Sequence, residues 1–80
     1  MDFKVLADHM AKKYYGGNLR EYLSLSPNPK NLANVEAETP EQAATTWGYT
    51  DEDVYAMDMG SQRIYWLAFK DGEAKVKRYF

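Results

Sequence analysis

The sequence contains no cysteine, and this absence excludes two common ways of stabilising a short chain. Neither a disulfide bridge nor a cysteine-ligated zinc ion can hold these 80 residues together. Small secreted domains are often rich in disulfide bridges, so we expect a cytoplasmic protein. The fold must depend on packing alone, and aromatic residues, at 15% of the chain, supply much of the apolar volume.

Long hydrophobic runs and long linkers are also absent. Charged or polar residues interrupt the first apolar positions (Asp2, Lys4, Asp8 and His9), so we expect neither a signal peptide nor a membrane-spanning segment. The 5 glycines and 3 prolines form no stretch that would separate two domains. The sequence therefore predicts a single domain over residues 1–80.

Catalytic and metal-binding motifs are missing as well. His9 is the only histidine, and no serine or carboxylate is reliably placed beside it to form a nucleophilic triad. Gly16 and Gly17 lack the lysine and the third glycine of phosphate-binding loops, and the acidic run at 51–53 lacks the spacing of a calcium loop. We therefore predict that the chain is not an enzyme and that it binds no cofactor and no metal.

Positive charge is missing from the middle of the chain, where no basic residue lies between Lys30 and Arg63. The acidic residues of this segment are Glu36, Glu38, Glu41, Asp51, Glu52, Asp53 and Asp58. The cations of the C-terminal segment are Lys70, Lys75, Lys77 and Arg78. Although the net charge is only −2, we expect an electrically polar molecule.

The N-terminal half is predicted to contain one helix and two strands. Phe3, Leu6, Ala7, Met10 and Tyr14 recur at helical spacing behind Asp2, which is a suitable N-cap. Residues 19–26 fit either a strand or a helix, and a strand is preferred. A turn at 26–31 follows, because two prolines interrupt both kinds of structure. Alternating residues at 33–38 then predict a strand with an acidic outer face.

The C-terminal half is predicted to contain a capped helix and a three-stranded meander. Thr39 to Gln42 form a capping box with proline at the first helical position, and Gly48 ends this helix. The strands are expected at 54–59, 62–69 and 74–80. A type II′ turn at Gly60-Ser61 and a type I′ turn at Asp71-Gly72 connect them. The fold class is therefore α+β, with two helices on an antiparallel sheet, in the order α-β-β-α-β-β-β.

Two-residue turns fix which side chains share a face of the meander. Tyr55 is expected opposite Trp66, and Trp66 opposite Lys77. The face assigned to the core carries Val54, Ala56, Tyr65, Leu67, Phe69, Ala74 and Val76. The opposite face carries Tyr55, Met57, Ile64, Trp66, Lys75, Lys77 and Tyr79. The N-terminal helix covers this aromatic face, or the face is a contact surface.

The first functional hypothesis is that the acidic segment binds a basic protein surface, including that of a nucleic-acid-binding protein. All of its acidic residues, from Glu36 to Asp58, contribute charge in this hypothesis. Trp47, Tyr49 and Tyr55 are the candidate aromatic anchors, since buried aromatic residues dominate many interfaces. The protein would then act as a non-catalytic inhibitor or regulator.

Two alternatives remain open. In one, the aromatic sheet face binds single-stranded nucleic acid, with Trp66 and Tyr79 stacking on bases and Lys75 and Lys77 contacting phosphates. No RNP-type motif supports this alternative, and the acidic half would repel phosphate. In the other, the chain is a small homodimeric structural protein, because so short a chain has a thin core.

In size, acidity and lack of an enzyme signature, the chain resembles the small single-domain inhibitors that phages and mobile elements carry against host defences, such as anti-CRISPR proteins. This is a resemblance of type, without a shared motif. It implies inhibition by protein contact and assigns no site residue.

Overall fold

The computed structural model describes residues 1–14, 18–24, 32–47 and 52–79. Its strands are β1 (Asp2–Ala7), β2 (Ala33–Glu36), β3 (Val54–Asp58), β4 (Ile64–Lys70) and β5 (Glu73–Tyr79). Its helices are α1 (Asp8–Tyr14), α2 (Leu19–Leu23) and α3 (Pro40–Trp47). The strands form one antiparallel sheet in the order β2-β1-β3-β4-β5. The α+β class with an antiparallel sheet is confirmed, but the order along the chain is β-α-α-β-α-β-β-β.

Strand β1 corrects the prediction of one long N-terminal helix. Only its second half, from Asp8, is helical. Strand β1 lies between β2 and β3 in the sheet, and a separate hydrophobic core buries apolar side chains on each of its faces. Phe3 and Val5 pack on one side and Leu6 on the other. A strand buried on both faces shows no polar alternation, and here its apolar residues coincide with helical spacing.

Helix α2 corrects the preferred strand over residues 19–26. Asn18 is its N-cap: Asn18 Oδ1 accepts a hydrogen bond from the Glu21 amide at 3.0 Å, and Asn18 Nδ2 donates to Glu21 Oε2 at 2.9 Å. This reciprocal pair favours the helix over an extended conformation. Leu23 is fully buried. Gly16 and Gly17, and the proline turn predicted at 26–31, lie outside the described residues.

Strand β2 and helix α3 confirm the predicted strand-to-helix step. Thr39 Oγ1 accepts a hydrogen bond from the Gln42 amide at 3.1 Å. Gln42 Oε1 accepts one from the Glu38 amide at 3.0 Å, one residue earlier than a capping box requires. The predicted end of this helix at Gly48 lies outside the described residues.

The hairpin between β3 and β4 has the predicted register, with Tyr55 opposite Trp66, but not the predicted turn. A type II′ turn requires positive φ at Gly60, whereas the positive value, 60°, is at Gln62. Asp58 Oδ1 accepts a hydrogen bond from the Gly60 amide at 2.8 Å, and the Gln62 amide donates to the Asp58 carbonyl at 2.7 Å. The Asp58 side chain therefore stabilises a longer loop.

The hairpin between β4 and β5 has the predicted type I′ turn, because Asp71 and Gly72 have φ values of 54° and 79°. Leu67 lies opposite Val76 as predicted. Beyond this pair the register shifts, so Trp66 lies opposite Arg78 rather than Lys77. Such a bulge gives β5 one extra residue.

Helices cover both faces of the sheet. The α3 face has a buried core of Phe3, Val5, Val35, Ala43, Ala44, Val54, Ala56 and Leu67. The α1/α2 face has a buried core of Leu6, Ala11, Leu23, Leu32, Tyr55, Met57 and Ile64. The predicted core position Val76 is instead 37% exposed, because β5 forms an edge of the sheet.

Candidate functional site

A groove of about 670 Å³ lies along helix α3. Glu36 contributes from the end of β2, Glu41 from the first turn of α3, and Glu73 from the start of β5. The full lining is Glu36, Ala37, Glu41, Gln42, Thr45, Thr46, Gly72, Glu73 and Ala74. The fold thus brings together carboxylates that are far apart in the sequence.

The groove is strongly acidic, because its lining contains three carboxylates and no basic side chain. Glu36, Glu41 and Glu73 are all exposed. Across the described ranges, none of the three forms an ion pair. Even Lys70, which lies opposite Glu73 in the β4–β5 register, does not pair with it. Among the described residues, no ion pair therefore compensates the negative charge of the groove.

The two threonine hydroxyls of the groove also favour a ligand that donates hydrogen bonds. Thr45 Oγ1 donates to the Glu41 carbonyl at 2.9 Å, and Thr46 Oγ1 donates to the Gln42 carbonyl at 3.0 Å. Each hydroxyl has one proton, and these bonds use it. The hydroxyl oxygens can therefore only accept further hydrogen bonds. Carboxylates likewise only accept. An ammonium or guanidinium group has the complementary chemistry.

The remaining predicted acidic residues lie elsewhere or have structural partners. His9 Nδ1 lies 2.6 Å from Glu52 Oε1, and Lys77 Nζ lies 3.6 Å from Asp53 Oδ2. Asp58 caps its turn, as described above. Glu38 is exposed at the start of α3 but does not line the groove, and Asp51 lies outside the described residues. The described acids of the predicted set therefore do not all line one groove: Glu36 and Glu41 are the predicted acids that the groove brings together.

Of the predicted aromatic anchors that the structure describes, Tyr55 is buried and Trp47 is half-buried. Trp47 is half-buried and packs against the core of the α3 face. Tyr55 is 9% exposed, its ring stacks on Trp66 with centroids 6.2 Å apart, and its hydroxyl donates to Asp8 Oδ1 at 3.1 Å. Tyr49 lies outside the described residues. Trp47 and Tyr55 therefore stabilise the fold rather than present a contact surface.

The predicted nucleic-acid face is divided between the two sides of the sheet. Trp66 packs against the core of the α1/α2 face and is only partly exposed. Tyr79 lies opposite Tyr65 on the α3 face, because the bulge in β5 shifts the register. Lys77 Nζ lies 4.6 Å from the centre of the Trp66 ring, where a base would have to stack. These residues do not form a common stacking platform.

Glu73 is the groove carboxylate that was not predicted from the sequence, because it lies within the basic C-terminal segment. The predicted turn at Asp71-Gly72 places Glu73 at a hairpin tip. This position is the feature of the sequence that could have indicated Glu73 as a site residue. That α3 packs close to this tip depends on tertiary contacts that no local pattern encodes.

Comparisons of the chain with protein-family models, curated proteins and solved structures found no match. Across residues 1–14, 18–24, 32–47 and 52–79, no three histidine, aspartate or glutamate side chains are grouped as a metal site. Within the same ranges, no helix has the length and apolar character needed to cross a membrane.

Proposed function

We propose that this chain is a non-catalytic regulator or inhibitor that acts in the cytoplasm by binding a basic protein partner in the groove along α3. The observation that carries this proposal is the group Glu36, Glu41 and Glu73, which lines one concavity without a neutralising cation. The partner class is a protein that presents exposed lysine or arginine residues, such as a nucleic-acid-handling protein. The resemblance in type to small phage-borne inhibitors is consistent with this class.

Electrostatic attraction would serve mainly recognition and speed of association. Complementary charge raises association rates and suppresses binding to acidic proteins, while exposed ion pairs each contribute only about 0.2–1 kcal/mol. The proposed interaction must therefore be sensitive to salt, because exposed charges are screened.

The test is titration calorimetry with an arginine-rich peptide as the probe, at low and at high ionic strength. The triple variant Glu36→Gln, Glu41→Gln, Glu73→Gln removes the carboxylates and keeps side-chain size. We expect its affinity to fall by about tenfold or more at low salt, as the sum of three exposed contacts. The loss should shrink at high salt.

A matched control removes the same charge from other places: Glu21→Gln, Glu52→Gln, Asp53→Asn. Circular dichroism would establish that both triple variants are folded. If the control loses as much affinity as the groove variant, the peptide is responding to net charge, and the groove proposal is wrong. Binding that does not depend on salt would contradict it equally.

A further inference from the structure

Strand β5 is a second candidate contact surface, at an edge of the sheet and with different chemistry from the groove. It has seven residues, and β4 is its only strand neighbour in the described parts of the chain. One side of its backbone is therefore open to pairing with another strand. Proteins commonly protect such edges against pairing, because an exposed edge strand can bind extended segments of other chains.

The side chains of β5 differ between its two faces. Lys75 lies opposite Ala68, and Arg78 opposite Trp66, so both are on the α1/α2 face. The bulge places Lys77 beside them, over the Trp66 ring. On the α3 face, Val76 is 37% exposed and Tyr79 is 60% exposed. The strand thus has a basic face and an apolar face.

Two of the three cations are available for a partner. Lys77 is engaged with Asp53 and the Trp66 ring, whereas Lys75 and Arg78 form no ion pair with a described residue. On the apolar face, the Arg63 guanidinium lies 5.0 Å from the centre of the Tyr79 ring, and Tyr65 packs against the same ring at 6.2 Å. Tyr79 is therefore exposed but held in place.

A second copy of the chain would meet like charges at this edge in three antiparallel registers. An antiparallel pair of β5 strands related by a twofold axis at Val76 would place Lys75 opposite Lys77 of the other copy. Axes at Lys75 or at Lys77 would place each of these lysines opposite its own copy. Like charges directly opposite one another destabilise a strand pair. Self-pairing in these registers is disfavoured, whereas an acidic strand would meet opposite charges at Lys75 and Arg78.

We propose that the β5 edge binds an extended peptide segment of a partner protein in which acidic and apolar residues alternate. A strand presents successive side chains to opposite faces, so such a segment would place its carboxylates beside Lys75 and Arg78 and its apolar residues beside Val76 and Tyr79. Its backbone would pair with the open edge of β5, as in strand-addition complexes. A nucleic acid has no backbone that can continue the sheet, and Tyr79 is the only described aromatic residue among the large exposed hydrophobic residues.

The test uses fluorescence anisotropy with three labelled peptides of one composition. The first alternates glutamate with valine and tyrosine, the second has all glutamates at one end, and the third is the alternating peptide with N-methylated amides. We expect the alternating peptide to bind about tenfold more tightly than the others, because only it satisfies both faces and the backbone. Equal binding by the second or third peptide would overturn strand addition.

Protein variants locate the site. Lys75→Glu with Arg78→Glu should weaken binding of the alternating peptide by about tenfold or more, since each attraction becomes a repulsion. The matched control, Lys12→Glu with Lys13→Glu, changes the same number of exposed cations on α1 and should bind normally. Equal loss in both variants would overturn the assignment to β5. So would tighter binding of a single-stranded oligonucleotide than of the peptide, or dimer formation through β5 detected by light scattering.

This inference does not depend on the groove. The triple glutamine variant of Glu36, Glu41 and Glu73 should still bind the alternating acidic peptide, while the variant of Lys75 and Arg78 should still bind the arginine-rich probe. Failure of one proposal is therefore distinguishable from failure of the other.

Discussion

Helix α3 covers one face of the sheet with eight continuous residues, whereas two shorter helices, α1 with seven residues and α2 with five, cover the other face. Ala43 and Ala44 are the buried residues of α3, and their small side chains allow the helix to lie close to the strands. The α1/α2 face buries larger side chains such as Leu23 and Met57. Both faces of the sheet are thus buried by helices, but one face uses a single longer helix and the other uses two shorter ones.

Polar contacts also distinguish the two faces. On the α1/α2 face, the Tyr55 hydroxyl donates to Asp8, His9 pairs with Glu52, and the Arg20 guanidinium donates to the Gln62 carbonyl. The exposed contacts of His9 and Arg20 each add little and weaken with salt. A helix of five residues is not stable alone. We therefore expect the α1/α2 face to open before the α3 face and to respond more strongly to salt.

The largest effects are expected from strand β1, which contributes to both faces. Phe3 and Leu6 are both fully buried, the first on the α3 face and the second on the α1/α2 face. We expect Phe3→Ala to lower the free energy of unfolding by about 3–5 kcal/mol and Leu6→Ala by about 2–5 kcal/mol, measured by urea denaturation. Phe3→Leu is the milder variant if Phe3→Ala does not fold.

Val76→Ala is the control for this pair, because Val76 lies on the edge strand and is 37% exposed. It should change stability by no more than about 0.5 kcal/mol. If Phe3→Ala and Val76→Ala had similar effects, β1 would contribute no more to the core than the edge strand β5 does.

A smaller and matched pair of effects is expected from the two helix caps. Thr39 caps α3 and Asn18 caps α2, each with its side-chain oxygen accepting an amide hydrogen bond near 3 Å. We expect Thr39→Ala to lower global stability by about 1 kcal/mol. Asn18→Ala should instead speed amide hydrogen exchange in α2 with less effect on global unfolding, because so short a helix opens locally.

Thr39→Ser and Asn18→Ser are the controls, since both substitutions keep a capping oxygen. If Asn18→Ala lowered global stability more than Thr39→Ala, the α1/α2 face would be the more cooperative of the two. The comparison between the faces would then be reversed.

Elements with local signals were predicted well. Asp71 and Gly72 specify a type I′ turn by their tolerance of positive φ, and Thr39 with Gln42 marks the start of α3. Both signals act over a few residues, so they are visible in one sequence. The β3–β4 turn failed in type because the Asp58 side chain, not the glycine, determines its hydrogen bonding.

Elements whose environment is set by distant segments were predicted poorly. Residues 2–7 are a strand because β2 and β3 flank them, and the partners of β1 are remote in sequence. Likewise, Glu36 and Glu41 were predicted as site residues from charge alone. Glu73 joins them only because α3 packs against β5. The bulge at Lys77 moves Tyr79 to the other face of the sheet. It contains no glycine that would have indicated it in the sequence.

The smallest expected effect concerns Lys77, whose Nζ lies between Trp66 on the α1/α2 face and Asp53. Lys77→Met keeps the alkyl chain and removes the charge, so we expect a loss of about 0.5–1 kcal/mol from the lost cation–π contact and exposed ion pair. Part of this loss should disappear at high salt, and Trp66 fluorescence should change. The control is Lys75→Met, which replaces the lysine next to Val76. It should change neither the stability nor the Trp66 fluorescence. A change in Trp66 emission with Lys75→Met would show that the two lysines share the tryptophan, and the assignment of Lys77 as the engaged cation of β5 would have to be reversed.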